Sequence, residues 1–337
     1  MEAATPTVPL SGDRSILERS PLSRLPDQAL RYGLTGVAAG VLVLIAYFFV
    51  RLIGESNPAF AKFGVFGFTF TNDWDVSRAT FGALPLVVGT LITSAVALLI
   101  GVPVAVSTAV FITELCPRRA RGPLTILVEL LAAVPSVVYG LWGFFVLIPK
   151  LKPAEQLFAD TFSFVPFIGG ATVAGPNYFI AGLILAIMIV PIVSAITREV
   201  LTTVPPAHKE AALALGATRW EMIRLAVLPY ARSGIVGASL LGLGRAIGET
   251  IAVTLVIGNA PVIGHTLLSQ GYTLAAVIAN EFGEADSLHR SALIAAGLVL
   301  FVLTLLVNAG ARVFVRRGQR MKRHGSGRAA TAVASSA

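Results

Sequence analysis

Six separate stretches of this sequence run for about twenty residues or more with almost no charge, and that feature excludes most folds open to a chain of 337 residues. They fall at approximately residues 32–53, 83–111, 124–148, 178–196, 233–257 and 292–314. Each is long enough to cross about 30 Å of hydrocarbon as a helix. Where no water can satisfy peptide groups, a spanning segment must bond its own backbone, so runs of this length predict helices. Composition agrees: 13% of residues are charged, about half the usual share for a soluble domain. The expected fold class is an all-α integral membrane protein with six transmembrane helices.

An even number of spans places both termini on one side, and the basic residues indicate which. Of 26 Lys and Arg, 19 fall in the tails and loops on the side of the termini and six on the other, with Arg245 inside a span. Acidic residues divide eight and eight, with Glu129 and Glu249 left within spans. The bias is therefore cationic, which predicts cytoplasmic termini. The expected organisation is a cytoplasmic tail over 1–31, a six-span domain over 32–315 with a large cytoplasmic loop at 197–232, and a basic, unstructured tail over 316–337. The first tail is too long and too acidic for an ordinary signal peptide. With Cys116 as the sole cysteine, no disulfide framework is available, and four histidines without HxxxH or CxxC spacing give no metal motif.

The loop between the fourth and fifth spans carries "EAALALGATRWEMIRLAVLP", Glu210 to Pro229. Pro205 and Pro206 suit a first helical turn, Ala211, Ala212 and Ala214 keep that helix slim, and Gly216 can take the left-handed backbone that ends it. Thr218 with Glu221 three residues later has the spacing of a capping box. Trp220, Ile223 and Val227 predict an apolar stripe on the second helix while Glu221 and Arg224 stay wet. Pro229 ends the unit. From physics alone, the hairpin is either a capped connector on the bilayer surface or a docking element for a cytoplasmic partner. A DNA-binding role conflicts with its tethering to membrane spans at both ends.

Apart from Arg51 and Arg312 at the ends of their runs, three charges fall within apolar runs. Arg245 lies about 18 Å along the fifth, and Glu249 follows at i+4, where the two side chains would meet and neutralise each other. Such a pair either fixes helix packing or forms a charged station on an aqueous path. Glu129, in the third run, has three readings open: pairing with Arg245, pairing with a partner membrane chain, or snorkelling. Pro135 predicts a kink in that run.

Enzymatic readings lack a site. There is no GxxxxGK[ST] motif for cradling phosphates, and "GLGRAIG" is GxGxxxG inside an apolar run, better read as close helix packing. A stand-alone secondary transporter would show carboxylates in several spans.

The order Glu210, Ala211, Ala212, then Gly216, then Ala226, Leu228 and Pro229 resembles the EAA signature of ABC importer permeases. Ala226 stands where that pattern usually has isoleucine. The resemblance covers most of the chain beyond the N-terminal tail. It is carried by "FGALPLVVGTLITS", "ELCPRRARGP", "ELLAAVPSVVYGLWGFFVLIP", "LGLGRAIGETIAVTLVIGN" and "GYTLAAVIANEFGEA", and it is strongest with phosphate-specific permeases of the PstC type. The related PstA type and sulfate or molybdate permeases are the alternatives.

The resemblance implies a type I importer permease in a bacterial cell membrane. Glu210, Ala211, Ala212, Gly216, Leu228 and Pro229 would form the coupling element for an ATPase dimer (PstB-like). A second permease (PstA-like) and an extracytoplasmic phosphate-binding protein (PstS-like) would be the other partners. It implies no catalytic residue, metal or cofactor on this chain, with ATP and Mg held by the ATPase. Arg245, Glu249 and, less directly, Glu129 would line the substrate pathway. An arginine's planar fork of donors suits a tetrahedral oxyanion.

Overall fold

The computed structural model describes the backbone of residues 24–162, 164, 173 and 175–334, and side chains within 29–313 of that set. The expected N-terminal tail therefore lies outside the described residues up to 23, as do the side chains of the expected basic tail. The chain forms two compact units, residues 1–54 and 55–337.

In chain order the elements are α1 (Arg24–Phe63), α2 (Val65–Phe70), β1 (Trp74–Asp75), β2 (Thr80–Phe81), α3 (Leu84–Val110), α4 (Arg118–Ala132), α5 (Ser136–Trp142) and α6 (Ile148–Thr161). Then follow α7 (Tyr178–Thr202), α8 (Pro206–Ala214), α9 (Arg219–Met222), α10 (Leu228–Ile247), α11 (Ile251–Val256), α12 (Leu274–Glu281) and α13 (Ser287–Ala334). Three π-helical turns, Phe111–Leu115, Gly143–Leu147 and Ile223–Val227, extend α3 and join α5 to α6 and α9 to α10. The two short strands pair antiparallel, with Trp74 opposite Phe81.

Among the described residues, six helices are long and apolar enough to cross a membrane: Ala29–Phe63, Leu84–Leu115, Ser136–Thr161, Tyr178–Thr202, Arg219–Ile247 and Ser287–Val313. The number matches the expectation from sequence, but several boundaries need correction: the first helix runs on to Phe63, the third to Thr161, and the fifth begins as early as Arg219, because the apolar runs continue into polar helical flanks. The third spanning helix begins at Ser136, because Val134 and Pro135 separate α4 from α5 outright instead of kinking one helix. Proline disfavours the α conformation in the residue before it, and at the break the Tyr139 hydroxyl donates to the Leu131 carbonyl (2.8 Å). The fifth ends at Ile247, ten residues short of expectation, where Gly248 caps α10 and Thr250 starts a separate short helix. The backbone of α13 is helical through Ala334, across the stretch whose composition suggests an unstructured tail.

The core of residues 55–337 is built on α7. Tyr178, Ile180, Ala181, Ile184, Leu185 and Ile189 are fully buried. Glycines let neighbours approach closely: Gly182 faces Val96 of α3, Gly101 of α3 faces Ile189, and Gly242 of α10 faces Val193. In lipid, where apolar side chains gain little by leaving their surroundings, such close contact supplies much of the association.

The first donors of α7 are satisfied by the segment around 256–269. Asn177, Tyr178 and Phe179 N–H bond to Val256, Ser269 and Leu267 carbonyls at 3.1, 3.1 and 3.0 Å. The Asn177 side chain accepts from Ile180 N–H (2.8 Å). These bonds meet the requirement that a buried helix end leave no donor without a partner.

A second junction joins α1 to α13. Pro58 interrupts α1, and the Ser291 hydroxyl accepts from Ala59 N–H (3.1 Å) and donates to the Glu55 carbonyl (2.9 Å), inserting itself into the helical ladder. Such insertion accompanies proline distortion of a helix.

Gly271 tests the tightness of this packing. A Cβ there would overlap the ring of fully buried Tyr178, while its N–H and carbonyl are held by Ile257 and Ala260. Gly271→Ala is expected to lower stability by about 1–3 kcal/mol in denaturant titration of the detergent-solubilised protein. Gly122→Ala, where a Cβ meets nothing within 4 Å, is expected to be neutral or slightly stabilising.

Candidate functional site

α7, α10 and α13 border an open-sided cavity of about 1120 Å³. Along α10 its wall includes Ser233, Gly237, Leu240, Gly244, Arg245 and Gly248, α7 gives Ile192, and α13 gives Leu305, Asn308, Ala309 and Arg312. The lining carries two guanidinium groups and no carboxylate. At Gly237 and Gly244 a Cβ would meet nothing within 4 Å, so these glycines widen the cavity. Of the motif read as helix packing, Gly242 packs, and Gly244 and Gly248 face the open space.

Arg245 sits in the last turn of α10 and is exposed to the cavity. Its expected pairing with Glu249 does not form: among the described residues no ion pair joins them. The cause is the end of α10. Gly248 and Glu249 leave the helix, so the i, i+4 stacking is lost. Glu249 is 9% exposed, and its carboxylate accepts from Ala252 N–H (3.4 Å) at the start of α11.

Glu129 is also relocated. It lies on α4, before the Pro135 break, and pairs with Arg198 of α7 at 2.9 Å; Arg198 also donates to the Thr125 hydroxyl (2.8 Å). Among its three open readings, none named Arg198. Glu129 neither lines the cavity nor meets Arg245, because α4 packs on the hairpin-proximal end of α7.

The 206–229 hairpin takes the predicted form. α8 starts at Pro206, and Gly216 adopts φ 84°, the left-handed region that favours glycine. Thr218 and Glu221 make both bonds of the capping box. Met222, Ile223 and Val227 are buried against Ala109 and Val110 at the foot of α3 and Leu201 and Val204 at the foot of α7. The stripe departs from prediction at Trp220, which is 62% exposed. Met222, next to Ile223, takes the inward place instead. Glu210, Ala211, Gly216 and Pro229 are exposed, whereas Ala212 and Leu228 pack partly against the buried cluster.

One tether was not anticipated. Lys209 of α8 pairs with Glu114 in the π turn after α3 at 2.6 Å, and the Glu114 side chain is only 7% exposed. The residues lie 95 positions apart, and no local signal in the sequence links them.

At the opposite end of the bundle, the amphipathic segment 273–282 forms α12, capped by Thr273. Glu281 accepts from Trp74 Nε1 (3.1 Å) and contacts His289 Nε2 (2.8 Å). Phe81 stacks on His289, with centroids 5.2 Å apart. Burial pushes the Tyr272 hydroxyl far above its ordinary range, and this group accepts from Asn280 Nδ2 (2.9 Å). The cluster binds β1, β2, α12 and α13 together. No group of three or more His, Cys, Asp or Glu able to hold a metal occurs among the described residues.

Residues 101–320 match the family model described as binding-protein-dependent transport system inner membrane component. The chain is similar to the phosphate transport system permease protein PstC of Mesorhizobium japonicum, with 44% identity over 94% of this chain and 97% of that one. It is also 44% identical to PstC 2 of Mycobacterium tuberculosis over 82% of this chain and 86% of that one. With the probable PstC of Methanocaldococcus jannaschii it shares 36% identity over 84% and 90%. A chain of a bacterial alginate ABC transporter, solved in complex with an alginate-bound periplasmic protein, shares the fold at TM-score 0.59 and 20% identity, covering 87% of this chain and 98% of that one. The chain therefore belongs to the binding-protein-dependent transport inner membrane components, and within them to the PstC permeases of phosphate ABC transport systems.

Proposed function

We propose that this permease moves inorganic phosphate into the cytoplasm by alternating access, and that Arg245 is the station that holds the oxyanion on its way. The observation that carries this reading is an arginine in the wall of a large cavity within the membrane-spanning bundle, with no counter-ion among the described residues. An unpaired guanidinium in such surroundings favours an anionic guest, and its planar donors fit two oxygens of a tetrahedral anion at once. Glu249, held against the start of α11, places a negative charge four residues away in sequence without neutralising Arg245. It limits how tightly the anion binds, which a transport site requires. Glu129 is outside this path and fixes α4 to α7 through Arg198.

Both termini and the 206–229 hairpin face the cytoplasm in this reading, in keeping with the excess of Lys and Arg on that side. The hairpin docks into a cleft of a separate ATPase dimer, which binds ATP and Mg. Its tip supports this: Leu215 is 89% exposed and Trp220 stands out beside it, while the base is locked into α3 and α7. A related second permease completes the translocation path, and an external binding protein delivers phosphate and excludes sulfate. Binding, coupling and selectivity are thereby divided among chains.

ATP-driven uptake of labelled phosphate into vesicles containing this chain with its partners tests the reading. Proline cannot adopt the φ of 84° at Gly216 and lacks the N–H that bonds Leu213 (3.0 Å), so Gly216→Pro is expected to abolish uptake. Arg245→Gln is expected to reduce it at least about tenfold, the equivalent of losing charge-assisted hydrogen bonds; excess sulfate should not compete. An assembled Arg245→Gln importer working at the normal rate would remove Arg245 from the path.

The Lys209–Glu114 tether makes a separate prediction. Glu114→Gln and Lys209→Met are each expected to lower phosphate moved per ATP hydrolysed. A double-mutant cycle on thermal stability should give an interaction of about 0.5–3 kcal/mol; strict additivity would show the pair to be incidental.

A further inference from the structure

The cavity contains a second cation, Arg312, which the sequence tally treats only as a topological charge. Resting on the reading of Arg245 as an anion station, we propose that Arg312 and Asn308 form a second oxyanion site at the hairpin-side end of the cavity, occupied by phosphate after it leaves Arg245.

Four observations carry this. First, the two arginines stand toward opposite ends of one space. α10 runs from the hairpin to Arg245 in its last turn, and its cavity-lining residues begin at Ser233, about 18 Å earlier along the helix. The first turns of α13 are buried with α12, β1 and β2 at the far end of the bundle, so α13 runs back toward the hairpin and brings Arg312 to that side. Second, Asn308 precedes Arg312 by four residues on the same helix face, and both line the cavity. An amide NH2 there adds neutral donors to the guanidinium fork.

Third, Arg312 has no hydrogen-bond or ion-pair partner among the described residues, and no carboxylate lines the space it shares with Arg245. Both positive charges are therefore available to an anion. Fourth, the wall between them includes Gly237 and Gly244, where no side chain narrows the path. Two moderate sites along a passage release an ion more readily than one deep site, because binding at each can be weak enough to reverse. The ligand class is a tetrahedral phosphate oxyanion. A lipid phosphodiester shares that chemistry, but a position within the same cavity as Arg245 favours the free anion.

The test uses the complete importer in vesicles with the hairpin side inside, ATP in the lumen and labelled phosphate with binding protein outside. Unlabelled phosphate is loaded into the lumen at increasing concentration. Occupation of the Arg312 site from the lumen should slow uptake by the wild type. Arg312→Gln should raise the half-inhibitory luminal concentration about tenfold, Arg312→Lys should restore most of the sensitivity, and Asn308→Leu should shift it in the same direction as Arg312→Gln. The asparagine variant keeps the test decisive if Arg312→Gln does not assemble. A wild type indifferent to luminal phosphate, or variants inhibited like the wild type, overturns the proposal.

Vesicles of phosphatidylcholine alone should show the same shift as vesicles that also contain phosphatidylglycerol. A shift confined to the anionic vesicles assigns Arg312 to lipid headgroups and equally overturns the site. Arg245→Gln separates the two readings. Normal uptake by that variant defeats the station at Arg245, whereas lost uptake with unshifted luminal inhibition in Arg312→Gln defeats only the second site.

Discussion

The structure depends on the burial of α7, the most deeply buried of the spanning helices, which keeps only a partly covered stripe at Phe179, Leu183, Ile187 and Val190. Burial of this kind is possible only if the neighbouring backbones come close and the helix end loses no hydrogen bonds. Glycines on α3, α7 and α10 meet the first condition, and the carbonyls of Val256, Leu267 and Ser269 meet the second. The segment that follows α11 is consequently part of the core as well as a connection. It shares one framework with the cavity, because α10, α11 and this segment are continuous in sequence and rest on the same helix.

The cavity follows from that arrangement. α10 turns Gly242 toward α7 and leaves Gly237, Gly244 and Arg245 on a face that α13 covers incompletely. A straight continuation through Glu249 would have matched the two charges. The stop at Gly248 instead separates them, giving the carboxylate to the backbone of α11 and the guanidinium to the open space. Within a low-dielectric bundle, that difference decides whether an arginine is a structural cation or a site for an anion.

The spans and the hairpin were legible in the sequence because their signals are local. Twenty apolar residues, a Thr-to-Glu spacing of three and a glycine after an alanine-rich helix each act within a turn or two of chain. The breaks at Pro135 and Gly248 were less legible. Proline and glycine are both tolerated within membrane helices, and whether they kink or end a helix depends on neighbours such as Tyr139 and Ala252. Glu129–Arg198 and Lys209–Glu114 connect residues 69 and 95 positions apart, beyond any periodicity. Arg312 was visible but was assigned to topology, since a basic residue at the end of a span fits that rule without further explanation. Trp220 likewise left a stripe that ideal helical spacing predicts, with Met222 buried in its place.

The exposed tip of the hairpin has a consequence for the life of the chain in the cell. Leu213, Leu215 and Trp220 are 46%, 89% and 62% exposed, on a unit whose base is firmly held and cannot fold them away. Left uncovered, they form a fixed apolar knob. Surveillance proteases and chaperones that recognise solvent-exposed apolar segments would meet it on every orphan copy, so in the proposed assembly balanced synthesis of the permease and the ATPase becomes a condition of its persistence.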